Sequence, residues 1–383
     1  MDKPTVQDIF HRFYPAYLDQ YSPSPVQAKV AHNIMNCKTG AYGANVCVCE
    51  DCGFVQIHYN SCRNRCCPMC QAVPKEMWMD ARREDVLDAP YFHLVFTVPD
   101  ILNPVIYSNQ RLLYDALYHA ASSTISELTA DPKHLGAKVG YICILHTWGS
   151  EMNFHPHIHT ILLGGGLASN NQWRDNGENF FLPIRVISKM FRGKYLEELK
   201  RLWEEDKLVF QGTAEKFRNH YTFKELLDSC YGMDWIPHCK KTFNGAQTVI
   251  KYLGKYTHRI AVSNHRIVRM NDDTVTFLVK DYRNEGQWKE LTISGVEFVR
   301  RFLMHVPPRR FVRIRHYGLL CSRTKSQKLT LCRNLLGCKK YLSKLRDMEM
   351  PEILEHLYGI KVCVCKACGG HLGKPQMRMP LRC

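Results

Sequence analysis

Long apolar runs are missing from this 383-residue chain. No stretch approaches the roughly 20 residues that span a bilayer, so a helical membrane protein is not expected. The opening MDKPTVQDIFHRFY has no apolar stretch of the signal-peptide kind, and an intracellular, cytoplasmic protein is expected. There is no P-loop pattern, no internal repeat and no low-complexity linker, so no nucleotide cofactor is expected. Acidic residues are scarce, 36 Asp and Glu against 52 Lys and Arg, and the formal net charge is +16. From Arg300 to Arg346 fourteen Lys or Arg occur with no acid between them. Such a balance points to a polyanionic partner, nucleic acid first. With 45% hydrophobic and 11% aromatic residues the chain is globular, long enough for two or three domains.

Cysteine, by contrast, is abundant: eighteen residues, eight of them between Cys37 and Cys70 and four between Cys363 and Cys383. Without a secretion signal, clustered thiols mean bound metal rather than disulfides. Cys49-x2-Cys52 and Cys67-x2-Cys70 are two knuckle pairs, and two such turns can close a tetrahedral zinc site. Cys37, Cys62 and Cys66, with His32 nearby, offer a second zinc, the alternative being spare buried thiols. Cys365-x2-Cys368, with Cys363, His371 and Cys383 nearby, offers a third whose ligand set is open. Cys143, Cys230 and Cys239 are scattered and read as core.

The middle of the chain reads as mixed α and β. A helix is expected over 74–89, strands over 91–99, 138–148 and from His157, and a hairpin pairing the last two antiparallel. Helical segments follow near 185–207 and 214–231, then an edge strand over 233–239, a helix over 244–259, three further strands and a helix over 295–306. In NFHPHIHTILLGGG, His157 and His159 are two apart on a strand and so share a face. Two imidazoles are too few for a closed zinc site. An open site for Mg2+ or Mn2+ suits chemistry on phosphate. His146 on the preceding strand can face the pair as third ligand, with Ser150, Glu151 and Gln247 as competitors.

Tyr252 and Tyr256 are four apart and share a face of the 244–259 helix. An aromatic core stripe is the plain reading, but Lys251, Lys255, His258 and Arg259 surround them, and a phenol near a metal-polarised phosphate is a nucleophile. The basic run includes RRFVRIRHYGLL, folded rather than solvated, and Arg309, Arg310, Arg313 and Arg315 are expected to meet phosphates, with Lys251 and Arg259 beside the tyrosines.

The blocks NSCRNRCCPMCQ, PYFHLVFTVP, LHTWGSEMNFHPHIHTILLGGG, YLGKYTHRIAVSN and RIRHYGLL stand in the order found in the two-tyrosine HUH transposases of the insertion sequence 91 family, and roughly residues 37–340 resemble that family. Cys66 stands where the family usually has His. The resemblance implies an α+β fold: a ferredoxin-like or RRM-like HUH nuclease domain over 90–295 with an antiparallel sheet and a helical insertion at 184–232. A helical lead-in (1–30) and a zinc-binding module with its linker helix (31–89) would precede it, and a basic DNA-binding region with a Cys-rich tail (296–383) would follow. It also implies rolling-circle transposition. Tyr252 and Tyr256, aided by Lys255, would cleave and rejoin single-stranded DNA at hairpin-containing element ends and at the target through a 5′-phosphotyrosine. Structural Zn2+ and catalytic Mg2+ or Mn2+ would serve as cofactors. A rolling-circle replication initiator and a non-catalytic zinc-dependent DNA-binding regulator are the alternatives.

Overall fold

The computed structural model describes residues 3–177, 182–235, 237–242, 249, 254, 260–281, 284–373 and 376–378. Two capped helices open the chain, α1 (Val6–Leu18) and α2 (Pro25–Met35). Thr5 with Asp8, and Ser24 with Gln27, form the reciprocal boxes that satisfy their first N–H groups. In chain order there follow β1 (Ala44–Val48), β2 (Val55–Tyr59), α3 (Ala72–Arg83), β3 (Tyr91–Thr97), α4 (Asn103–Ser108), α5 (Gln110–Ala130), β4 (Lys138–Trp148), β5 (Phe154–Leu167), β6 (Trp173–Asp175), α6 (Ile184–Glu204), α7 (His220–Gly232) and β7 (His238–Thr242). The remainder is β8 (Ile267–Met270), β9 (Thr274–Asp281), β10 (Gln287–Ser294), α8 (Gly295–Met304), β11 (Ile314–Gly318), α9 (Lys325–Leu336), α10 (Met350–Tyr358) and β12 (Gln376–Arg378). The expected 244–259 helix lies outside the described residues except at Val249 and Gly254, which are helical.

The fold is α+β with antiparallel sheets. The main sheet runs β11-β4-β5-β3-β7, with β6 added to β5; the edge strand expected over 233–239 is met only at its end, since β7 begins at His238. Alternation along β5 divides its side chains. Ile158 and Leu162 join a core with α5, α6 and α7, while Ile161 and Leu163 join a second core with Met79 of α3 and Leu329 and Cys332 of α9. His157 and His159 are in step with Ile161 and Leu163, so they face the α3 side.

The strands over 267–294 are not part of that sheet. β8, β9 and β10 form their own three-stranded sheet, and its apolar face (Val275, Phe277, Val279) packs with α1, α2 and α8. Phe277 meets Phe298 at 5.6 Å, and Phe10 of α1 meets Phe302 at 5.3 Å. The expected helical lead-in is therefore half of a core whose other half lies near residue 300. A unit ending at 295 would cut that core in two.

The two layers are pinned together at the β4–β5 turn. The Arg266 guanidinium donates to the Ser150 carbonyl at 2.7 Å, Arg301 donates to the Glu151 carbonyl at 2.9 Å, and Met152 is fully buried in the core that α1, α2 and α8 form with the β8–β10 sheet. Buried His305 completes the joint. Its Nε2–H donates to the Met152 carbonyl at 3.0 Å, which leaves Nδ1 to accept from the Thr147 hydroxyl at 3.1 Å. No helix among the described residues is long and apolar enough to cross a membrane.

Candidate metal centre and nucleic-acid surface

The hairpin register sets His146 directly opposite His157, and Ile144 opposite His159. The three side chains of His146, His157 and His159 are buried, with ligand nitrogens within 4.8 Å of one another. His157 Nε2 and His159 Nε2 are 3.0 Å apart. Two ligands at right angles on an octahedral cation, with bonds of about 2.1 Å, stand about 3.0 Å apart, so the donor spacing fits a hexacoordinate divalent ion. Of the competitors, Ser150 and Glu151 are held at the turn by the second layer, and Gln247 lies outside the described residues.

Backbone and neighbours set the tautomers. His157 Nδ1 is 2.7 Å from the His155 carbonyl, which can only accept, so Nδ1 carries the proton and Nε2 keeps its lone pair. Burial, then the neighbouring His155, pushes the His157 imidazole down to about 4. Burial, then His146, His157 and His93, holds His159 well below its ordinary value. Both rings are thus neutral ligands near pH 7. His93 on β3 was not singled out from the sequence, yet its Nε2 is 2.9 Å from His159 Nδ1, with the rings stacked 5.1 Å apart. The signal was there in YFHLVF: His93 lies on the same face as Tyr91, two residues away. His155, the third histidine of the run, is half-buried and reaches Asp100 at 3.2 Å.

The cysteines gather into two groups of four, and not in the expected grouping. Cys37, Cys62, Cys67 and Cys70 form one, while Cys49, Cys52, Cys365 and Cys368 form the other. Tetrahedral zinc with Zn–S bonds of about 2.3 Å puts sulfurs about 3.8 Å apart. Cys62 to Cys70 is 3.8 Å, Cys52 to Cys365 is 3.8 Å and Cys49 to Cys368 is 3.5 Å. The tail knuckle therefore completes the first N-terminal knuckle instead of starting a third site. The physical reason is strand pairing: β12 adds to β1, Cys49 bridges to Leu372, and the tail is laid along the β1–β2 hairpin. Both knuckles read C-x2-C-G, and Gly53 and Gly369 each take a positive φ and return an N–H to the first cysteine carbonyl. Cys67-x2-Cys70 lacks that glycine, and this echo is the sequence signal that matches the pairs. Cys66 is not a member of either group. It is buried beside Arg65 and Arg313. Cys363 is exposed, His32 and His371 belong to neither group, and Cys383 lies outside the described residues.

The basic run divides in a similar way. Arg309 and Arg310 are exposed. Arg315 instead pairs with Asp115 and lies 3.9 Å from the centre of the Tyr118 ring, so a free phosphate contact is not how its guanidinium is used. Arg313 turns inward over Trp148, at 6.0 Å. The reason is β11, which pairs with β4 and carries this stretch into the sheet. Tyr252, Tyr256, Lys251, Lys255, His258 and Arg259 lie outside the described residues. Val249 and Gly254 among them are buried. Val249 packs with Ile161 and Leu163, and a Cβ on Gly254 would meet Met79 Sδ at 1.9 Å.

A family model described as "Putative transposase" matches residues 140–328, and one described as "Transposase zinc-binding domain" matches residues 9–98. The chain is 40% identical over 369 residues to "Putative transposase y4qJ" of Sinorhizobium fredii, covering 95% of this chain and 93% of that one. It is 29% identical over 319 residues to "Transposase for insertion sequence element IS801" of Pseudomonas savastanoi pv. phaseolicola, covering 79% of this chain and 72% of that one. Among solved structures, the conjugative relaxase TrwC in complex with oriT DNA matches at 15% identity, 45% of this chain and 68% of that chain, with a TM-score of 0.23, too slight a likeness to bear on fold or function. With the zinc-binding match lying over the first six cysteine ligands and the other over the histidine hairpin, the chain belongs to the insertion sequence 91 family of transposases.

Proposed function

We propose that the protein cuts and rejoins single-stranded DNA at element ends and at the target through a tyrosine-linked intermediate, the rolling-circle route. The observation that carries this reading is the buried trio His146, His157 and His159, three imidazoles on one sheet face with two nitrogens 3.0 Å apart. They would hold Mg2+ or Mn2+, which when bound supplies positive charge to the non-bridging oxygens of the scissile phosphate. Tyr252 and Tyr256 are the nucleophiles. In support, Val249 and Gly254 pack on the same side of the main sheet as the histidines. A phenol has an unperturbed pKa of about 10 and must shed its proton to attack, and Lys255 is placed in sequence to favour the phenolate. The phenolic oxygen bonds to phosphorus, the bond to the 3′-oxygen breaks, and that oxygen takes up a proton. One phosphodiester replaces another, so strand transfer needs no nucleotide. Two tyrosines let donor and target 5′ ends be held together. Hairpin-containing ends, the target strand and a place on the nucleoid belong to the same reading, with Arg309, Arg310, Lys251 and Arg259 on phosphates.

The test is direct. Full-length protein with Mn2+ and labelled single-stranded element ends should give an SDS-resistant protein–DNA band. The band should be lost with EDTA, with His157→Ala/His159→Ala, and with Tyr252→Phe/Tyr256→Phe. An adduct mapped to another tyrosine, or full cleavage by the double histidine variant, would overturn the assignment.

A further inference from the structure

Two imidazoles of the trio have orienting partners already described, the His155 carbonyl for His157 and His93 for His159. Against the His146 ring lies an indole. Trp148 stacks on it with centroids 4.4 Å apart and 18° between the planes. The register shift between His146 and Trp148 is taken up by β5, which runs from His157 to Phe154 while β4 advances two residues. Alternation along β4 is therefore kept, and Trp148 stays on the face of His146. The indole is itself enclosed. It is buried, His305 stands edge-on to it at 5.9 Å, and the Arg313 guanidinium lies over it at 6.0 Å.

Arg313 is in turn held from two directions. Its carbonyl accepts from the N–H of Leu145, the residue before His146, at 3.0 Å, and from the Tyr118 hydroxyl. The loop leading to it is gripped by Arg65, which donates to the Phe311 carbonyl at 2.5 Å and to the Pro308 carbonyl at 3.4 Å. Arg65 sits between two ligands of one cysteine group, Cys62 and Cys67. Asn64 shapes that turn. Its side chain accepts from the Cys66 N–H at 2.9 Å, and its carbonyl accepts from the Cys67 N–H at 3.0 Å and the Gln71 amide at 2.9 Å. A run of contacts thus leads from the turn between the cysteines, through Arg65 and residues 311–313, to Trp148 and His146.

We propose that Trp148 and Arg65 are positioning residues for the divalent cation. Trp148 holds the His146 ring where a third ligand is needed, and Arg65 carries that constraint from the zinc-binding turn. A ring already in place when the cation arrives spares the cost of ordering it. A planar guanidinium forking onto two carbonyls fixes direction as well as distance. The module of Cys37, Cys62, Cys67 and Cys70 then supports the metal trio in addition to any grip on DNA. The proposal rests on the metal reading of the trio above.

The experiment titrates full-length, zinc-loaded protein with Mn2+ and follows electron paramagnetic resonance, with no DNA present. Loss of an outer-shell partner costs about 10- to 100-fold in metal affinity. Trp148→Ala should fall in that range, and Trp148→Phe, which keeps a flat ring, should recover most of the loss. Spin-echo modulation of the bound Mn2+ should report one nitrogen ligand fewer in Trp148→Ala than in the parent or Trp148→Phe. Arg65 is exposed, so Arg65→Ala spares the core and reads the relay even where Trp148→Ala fails to fold. It should weaken Mn2+ toward the lower end of that range. Added to Trp148→Ala it should cost nothing more, because it acts through the indole. A role in packing alone predicts a lower urea midpoint with Mn2+ affinity and nitrogen ligands unchanged, and that result in Trp148→Ala or Arg65→Ala overturns the proposal. Additive losses in the double variant overturn the relay. His157→Ala/His159→Ala reports separately. If it binds Mn2+ as tightly as the parent, the metal reading falls and the proposal with it, whereas a weakened histidine variant beside an unweakened Trp148→Ala removes the proposal alone.

Discussion

Replacing Cys365 and Cys368 by Ser tests the two-centre partition of the cysteines. In the structure these thiols share a site with Cys49 and Cys52, so the variant should lose one zinc of two and keep the one held by Cys37, Cys62, Cys67 and Cys70. A cycle makes the result decisive. Cys49→Ser/Cys52→Ser should lose the same single zinc, and the quadruple variant should lose no more than either double, because all four changes strike one centre. Had Cys49 and Cys52 shared a site with Cys67 and Cys70, the quadruple would lose two. The stability effect follows from chain entropy. A link between Cys52 and Cys365 joins residues 313 apart, and the arithmetic for cross-links gives about 6 kcal/mol for a loop of that length. That figure is an upper limit, because zinc also binds thiols of the unfolded chain and the folded tail is held by β12 as well. Native mass spectrometry on the 44.5 kDa protein reads the zinc count, and urea unfolding reads the stability. Loss of both zincs in the Cys365/Cys368 variant, or additive loss in the quadruple, would refute the two-centre partition.

Three further outcomes follow from the geometry. His93→Phe keeps a ring against His159 but removes its Nε2 partner, and outer-shell losses of this kind cost about 10- to 100-fold in metal affinity. Mn2+ titration followed by electron paramagnetic resonance reads it, and unchanged affinity would leave His93 a packing residue. For single-stranded DNA each lost phosphate contact lowers the salt slope by about 0.7, so Arg309→Ala and Arg310→Ala should each do so, whereas Arg315→Ala, already paired with Asp115, should leave the slope alone and reduce stability instead. Burial holds His305 at about 4, below its unfolded value of 6.5. The unfolded chain therefore binds the proton first on acidification, and stability should fall as pH drops from 6.5 to 4, by about 3 kcal/mol for this one group. A urea series across that window, flat in the parent and unaltered by His305→Gln, would contradict the assignment.

How much of this could be read from residues alone depended on sequence distance. The histidine face was legible because strand alternation is strict and a five-residue turn allows little choice of register, so His146 opposite His157 followed from local rules. His93 obeys the same alternation, but which strand lies beside β5 is a matter of sheet order, and β3 comes 57 residues before Phe154 in a chain that could have paired otherwise. Knuckles were legible as knuckles. Their partners were not, since a C-x2-C turn specifies two ligands and says nothing of where the other two arise, and only the trailing glycines distinguished the pairs. Arg315 looked available because its neighbours in sequence are basic. Its acid, Asp115, comes from a helix 200 residues earlier. The core shared by α1, α8 and β9 is hidden in the same manner, its halves lying nearly 270 residues apart.

The shared zinc site also has a timing. Cys52 leaves the ribosome 313 residues ahead of Cys365, and at about 5–20 residues per second that is an interval of about 15–60 s. Throughout it Cys49 and Cys52 are half a centre, two thiols that hold zinc loosely and are open to oxidation or to capture by the neighbouring four. The other group, complete by Cys70, can close within seconds of its synthesis. A message broken between the codons for His159 and Cys365 yields a chain with every histidine of the metal trio in place but with its first knuckle unfilled, so the finished clasp marks a polypeptide translated at least as far as Cys368.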